Sequence, residues 1–141
     1  MVPRIFVDTN VLVYAYDREW PAKQQISARL LDDLITSQQA VCSAQVLAEF
    51  FVVVTQKIPE PLSLEQALTT IDRLRQCVEV VPVTAAVVRE AARAVVTYRM
   101  SFWDAQVWAV AHLNQIELIL SEDLPGSASI EGVNYRNPFP Q

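Results

Sequence analysis

Three long stretches of this chain carry one formal charge apiece, and each time it is a carboxylate. Asp8 is alone between Ile5 and Tyr16, Glu49 between Leu34 and Gln56, and Asp104 between Met100 and Ile116. Segments so poor in charge belong inside a fold, and a carboxylate left there without a partner is destabilising on the order of several kcal/mol. Lys and Arg are sparse in the same segments, so the chain does not supply the counter-charge from nearby. The simplest shared compensation is a hard divalent cation held by oxygen ligands. A fourth acid, Asp123, with Glu122 beside it, follows the apolar run Leu118-Ile119-Leu120 and belongs to the same set by position.

The pattern between these acids alternates strand with helix. Arg4 to Val7 reads as a buried strand ending at Asp8, and Asn10 to Tyr16 as a helix start. Pro21 opens a helix on which Ile26, Leu30, Leu31, Leu34 and Ile35 follow helical spacing. Ala40 to Cys42 is a short strand, Ser43 an N-cap, and Ala44 to Gln56 a helix apolar nearly all round, hence expected to be buried. After Pro59 and Pro61, Ser63 with Gln66 forms a capping box for a helix to about Arg75. Val78 to Val83 reads as a strand, Thr84 caps a helix to about Arg99, and Ser101 starts another through Asn114. Glu117 to Leu120 is a strand, and a last one lies near Ile130 to Tyr135. Such alternation predicts an α/β fold with a central, mostly parallel sheet of four to five short strands covered on both faces.

The length suits one domain over residues 1–141, with no repeat, low-complexity tract or linker. Hydrophobic residues make up 52% and charged residues 19%, so some apolar surface is expected to be covered by self-association. The apolar run before Asp8 is too short for a signal peptide, and nothing approaches a membrane span. Cys42 and Cys77 are isolated, as suits reduced packing thiols in a cytoplasm. The net charge of -5 at first disfavours a nucleic-acid partner. Setting aside the four acids, however, the 16 Asp and Glu become 12 against 11 Lys and Arg, and bound divalent ions would offset the site's own charge.

In open α/β sheets, ligands sit beyond the carboxyl ends of the strands. Asp8 and Asp123 follow strands directly, Asp104 lies at the start of a helix that runs back into the strand ending at Leu120, and Glu49 is in the second turn of a helix entered from a strand. Each acid also has a plain structural role available: Asp8 as an N-cap, Asp104 in a capping box with Ser101, Asp123 as a turn acid before Pro125-Gly126. Glu49 resists such a reading, because Val46, Leu47, Phe50, Phe51, Val53 and Val54 surround it. It is the convergence of the set that argues for a site. His112 has no ligand at zinc spacing and reads as a core or interface histidine. Phe102, Trp103 and Trp108 read first as core or dimer surface, with stacking on an RNA base behind that, while Arg18, Lys23, Arg99 and Arg136 are candidate phosphate contacts between which the sequence does not choose.

Four strings, Phe6-Val7-Asp8-Thr9-Asn10, Ala48-Glu49-Phe50, Ser101-Phe102-Trp103-Asp104-Ala105 and Leu120-Ser121-Glu122-Asp123-Leu124, together resemble the PIN-domain nucleases, and among them the VapC-type toxins of type II toxin-antitoxin systems. The likeness covers essentially the whole chain, including Gly132-Val133 and Asn137-Pro138-Phe139. It implies a three-layer α/β/α fold and a metal-dependent endoribonuclease with Mg2+ or Mn2+ at Asp8, Glu49, Asp104 and Asp123. It further implies Asn10 and Ser121 as residues that orient the carboxylates, a homodimer, and a cognate antitoxin whose C-terminal segment fills the cleft. Water activated by the metal would attack the RNA phosphodiester, with no Ser, Cys or His nucleophile. Rival readings are weaker on residues. An aspartyl-nucleophile phosphatase wants a second Asp where Asn10 stands, and a receiver-like phospho-acceptor wants a Lys near the last strands, whereas the lysines are Lys23 and Lys57. A non-catalytic PIN-like interaction domain has no need of four intact acids.

Overall fold

A computed structural model of the chain describes residues 2–140. At its centre is β1 (Ile5–Val7), which pairs in parallel with β2 (Ala40–Ser43) on one side and β4 (Leu118–Leu120) on the other. Phe6, Val7, Val41, Ile119 and Leu120 are almost fully buried. Strands enclosed on both faces read as continuous apolar runs, which is how they stood out in the sequence. Next to β2 lies β3 (Glu79–Val81), and next to β4 lies β6 (Val133–Arg136), both parallel to their neighbours. A two-residue strand, β5 (Ser129–Ile130), runs antiparallel to β6 at the edge. Among the described residues the sheet therefore has six strands, in the order β3-β2-β1-β4-β6-β5.

Helices flank this sheet: α1 (Thr9–Tyr14), α2 (Pro21–Thr36), α3 (Ala44–Gln56), α4 (Leu64–Cys77), α5 (Ala85–Tyr98) and α6 (Phe102–Leu113). Their starts follow from side-chain chemistry. Asp8, Ser43, Ser63, Thr84 and Ser101 each accept a hydrogen bond from a first-turn backbone N–H, and Ser63 with Gln66 completes a capping box. Pro21 begins α2, where its missing N–H is no loss. α5 packs along α6, while α1 packs against α2 and α3. Trp108 on α6 is fully buried, and its indole N–H donates to the carbonyl of Ile130 at 3.1 Å, which fastens β5 to the core.

Three expectations are corrected. The strand foreseen near Ile130 to Tyr135 is a hairpin, so the sheet has six strands rather than four to five. Its two turn residues, Glu131 and Gly132, both have positive φ, 49° and 84°, the hand of turn that suits a tight antiparallel pair. Helix α3 is not buried all round: Val46, Phe50 and Val54 are in the core, but Ala44, Ala48 and Val52 are exposed. The strand foreseen over Val78 to Val83 is shorter, because Val78 caps α4 and Pro82 has no N–H to give the ladder.

The topology positions the site. From β1 the chain builds outward to β2 and β3, then returns to place β4 on the opposite side of β1. The order reverses between β1 and β4, and in open α/β sheets the crevice beyond the strand ends at such a reversal is where ligands bind. Asp8 leaves the end of β1 and Ser121 the end of β4. Among the described residues no helix is long and apolar enough to cross a membrane.

Candidate active site

Asp8 sits at the reversal point with both oxygens engaged. Oδ1 accepts from the backbone N–H of Thr9 at 2.8 Å, so the residue does cap α1 as one reading of the sequence had it. Oδ2 accepts from the Ser121 hydroxyl at 2.8 Å, across the β1–β4 boundary. Burial pushes its carboxyl up to about 6, and the nearby Glu49 and Asp104 carboxylates push the same way, against the two hydrogen bonds, which favour the charged form. By exposed area the residue is half-buried, and its carboxyl lies near like charges.

The other three acids line the same cleft, of about 400 Å³, two of them from more open positions. Glu49 reaches in from α3 and is half-buried. Its oxygens are held by Thr9 Oγ1 at 2.8 Å and Gln45 Nε2 at 2.9 Å, and Gln45 is in turn fixed by Gln106 Nε2 at 2.8 Å. Asp104 is exposed in the first turn of α6. Its backbone N–H is taken by Ser101 Oγ at 3.2 Å, but only this half of the expected capping box forms, so its carboxylate is left to the cleft. Asp123 is exposed as well, and Asn10 Nδ2 lies 3.3 Å from its Oδ2. The lone-charge argument thus overstated the burial of Asp104, since stretches poor in charge also cover an open cleft wall.

Asn10 and Ser121 knit these acids together. Ser121 Oγ, fully buried, donates to Asp8 and accepts from Asn10 Nδ2 at 3.1 Å and from the Asp123 N–H at 3.0 Å. Asn10 Oδ1 accepts from the Glu122 N–H at 3.0 Å. The choice between Glu122 and Asp123 is made by Lys23, which bonds Glu122 at 2.7 Å while Tyr14 Oη bonds its other oxygen at 3.0 Å. Glu122 is tied to α1 and α2, and Asp123 lines the cleft.

The donor set suits a hard cation. It consists of carboxylate oxygens, with an acid whose protonated form is favoured by burial first and by neighbouring carboxylates second, both of which a cation would offset. Among the described residues, no three acids form a closed ligand cluster. Carboxylates spaced in this way leave room for water among the oxygens around a cation. The hydroxyl of Tyr135, buried and without a partner among the described residues, has its proton held by burial, with Asp8 and Asp104 adding to the effect.

Sequence reasoning missed several cleft residues. Thr9 and Gln45 looked like ordinary helix-start residues, although Gln45 precedes Glu49 by one helical turn, the spacing at which side chains meet. Asp17 is buried, lines the cleft and accepts from the Glu19 N–H at 3.0 Å. Lys57 also lines it, whereas the four basic candidates lie elsewhere: Lys23 on Glu122, Arg99 in an adjoining groove, Arg18 and Arg136 on the surface. The aromatic trio separates: Trp108 is core, Phe102 is half-buried, and Trp103 is exposed in the cleft. His112 stacks on Trp108 and bonds Glu90 at 2.9 Å, in a network with Arg93 and Glu131. That is the structural role expected of it.

Comparison with known proteins places this geometry. Solved structures with a similar fold include a toxin-antitoxin complex from Klebsiella pneumoniae, with a TM-score of 0.70 at 17% identity over 96% of this chain and 98% of that one. The sarcin-ricin loop cleaving toxin VapC20 of Mycobacterium tuberculosis superposes with a TM-score of 0.63 at 24% identity, over 82% and 86% of the two chains. DNA-bound VapBC from Salmonella typhimurium gives 0.72 at 12% identity, over 98% and 100%. A search among curated proteins finds no match. At these identities the likeness speaks for fold, but the family is shown independently by sequence: the PIN domain model matches residues 5–124, a span that holds all four acids. This chain belongs to the PIN domain family.

Proposed function

We propose that this protein is a metal-dependent endoribonuclease and the toxin of a toxin-antitoxin pair, acting as one PIN-like nuclease domain. The observation that carries the reading is the meeting of Asp8, Glu49, Asp104 and Asp123 in one cleft at the sheet's reversal point. The chemistry of this reading is hydrolysis by water, and the Thr9 and Tyr14 hydroxyls that line the cleft are engaged by Glu49 and Glu122. Asp8 and Asp104 are the principal metal-holding groups, Glu49 holds the metal or orients a water, and Asp123 holds a second ion or a water. Mg2+ or Mn2+, when bound, lowers the pKa of a water and offsets charge developing on the phosphoryl oxygens. Ser121 and Asn10 fix the rotamers of Asp8 and Asp123, while Thr9 and Gln45 fix Glu49, so the carboxylates need not reorganise when substrate arrives.

The fold shared with toxin-antitoxin structures supports an antitoxin partner, and the exposed apolar side chains on α3 to α5 support a homodimer. The test is cleavage of mixed RNA with Mg2+ or Mn2+ by wild type, Asp8→Asn and Asp104→Asn. Wild type is expected to cut and EDTA to stop it, with each variant reduced at least about 100-fold, as for removal of a group that stabilises the transition state. Cleavage that survives EDTA, or equal cleavage by wild type and both variants, sinks the metal-site reading. Growth arrest on expression, relieved by a small adjacent gene, tests the toxin assignment.

A further inference from the structure

The cleft is poorly made for holding a polyanion by charge. Beside the four acids it is lined by Asp17, and among the described residues its single lining cation is Lys57. Even with bound divalent ions, little positive potential is left to grip the phosphates that flank a scissile bond. Contacts other than those to phosphates are needed to hold an RNA strand in the cleft itself.

Two features of the same lining supply it. Trp20 and Trp103 both line the cleft and are 48% and 62% exposed, whereas Trp108, the third tryptophan, is fully buried. Their settings are fixed. Trp103 is on the first turn of α6, one residue before Asp104, with its ring edge-on to Phe102 and its carbonyl accepting from Gln45 at 3.3 Å. Trp20 directly precedes α2, with the Lys23 ammonium 5.4 Å from its ring. Among the described residues neither indole N–H has a hydrogen-bond partner, while that of Trp108 does. Large rings left in water beside a row of carboxylates contribute nothing to the core. An aromatic face accepts any nucleobase, and such stacking is the usual means by which proteins hold single strands.

Resting on the nuclease reading for the identity of the ligand, we infer that Trp20 and Trp103 are stacking platforms for bases near the scissile phosphodiester. A paired base in a duplex keeps its faces covered by its neighbours, so the inference also commits the site to unpaired segments such as loops and ends. Substrate choice then rests on which bases are free to splay, with the acids indifferent to sequence.

The test measures binding apart from cleavage. Fluorescein-labelled RNA is titrated by anisotropy into Asp8→Asn protein carrying Trp103→Ala, Trp103→Phe, Trp20→Ala or no further change. The probes are a single strand, a duplex of the same sequence and an abasic single strand. Each Trp→Ala change is expected to weaken single-strand binding by roughly 10-fold or more. Trp103→Phe should restore most of that loss, and neither change should affect the abasic strand or the duplex. Equal affinity for the single strand with and without the rings overturns the inference. So does an equal loss on all three probes. Wild-type cleavage of RNA with Mg2+, run in parallel, tests the nuclease reading separately. Cleavage with ring-independent binding removes only the stacking, and ring-dependent binding without cleavage removes only the nuclease.

Discussion

Asp8 has one carboxylate and two duties, capping α1 and facing the cleft, and their conflict is measurable. Its carboxyl titrates at about 6 in the folded protein against an ordinary value of 3.8, so in metal-free protein the protonated form is favoured by folding. The stability it contributes is complete below about pH 4 and is lost as the pH rises through 6, a cost of roughly 2 to 3 kcal/mol at neutral pH. Asp8→Asn removes that cost but forfeits the Ser121 hydrogen bond, worth about 1 kcal/mol. In EDTA at pH 7.5 the variant should therefore be the more stable protein by about 1 kcal/mol, and its stability should be flatter between pH 4 and 6. Denaturant unfolding at pH 5 and 7.5 checks this, and a variant less stable than wild type at pH 7.5 contradicts it. The same residue explains what the sequence made legible: a charge alone among apolar neighbours stands out, as Asp8, Glu49 and Asp104 did. Thr9 and Gln45 did not, because a neutral side chain that orients another looks like any helix-start residue. Asp17 was hidden by Arg18 and Glu19, which make its surroundings look solvated although it is buried.

At the scale of elements, side-chain caps announced nearly every helix start, because each capping oxygen is local chemistry. What escaped was decided by distant partners. β5 is two residues long and exists only through its ladder with β6 and the Trp108 bond to Ile130, neither visible in local pattern. Helix α3 misled for a related reason: periodicity records which residues are apolar but not which face the rest of the chain covers, and Val52 and Ala48 remain outside. The hairpin gives a prediction. A Cβ on Gly132 meets nothing within 4 Å, so Gly132→Ala changes only the backbone preference at a φ of +84°. The expected destabilisation is about 1 to 2 kcal/mol. A shifted urea midpoint with unchanged slope, followed by fluorescence, reads it. No loss of stability would mean that the turn is not held in this geometry.

For the whole molecule, the strand order was the least legible feature, since β1 finds its neighbours β2 and β4 across long stretches of chain. The apolar excess was legible, and it has a consequence for assembly. Light scattering of the purified protein at micromolar concentration should give a mass of roughly twice 15.9 kDa. A mass of one chain would remove the homodimer. The placement of β1 between β2 and β4 has a further outcome. The segment joining α3 to α4, with Pro59 and Pro61, divides the acids evenly: Asp8 and Glu49 before it, Asp104 and Asp123 after. The β1–β4 and β2–β3 pairings both cross that point, so on the function proposed above chain severed there is expected to leave each piece inert with half the acid set, and cleavage to return only when the two pieces are mixed.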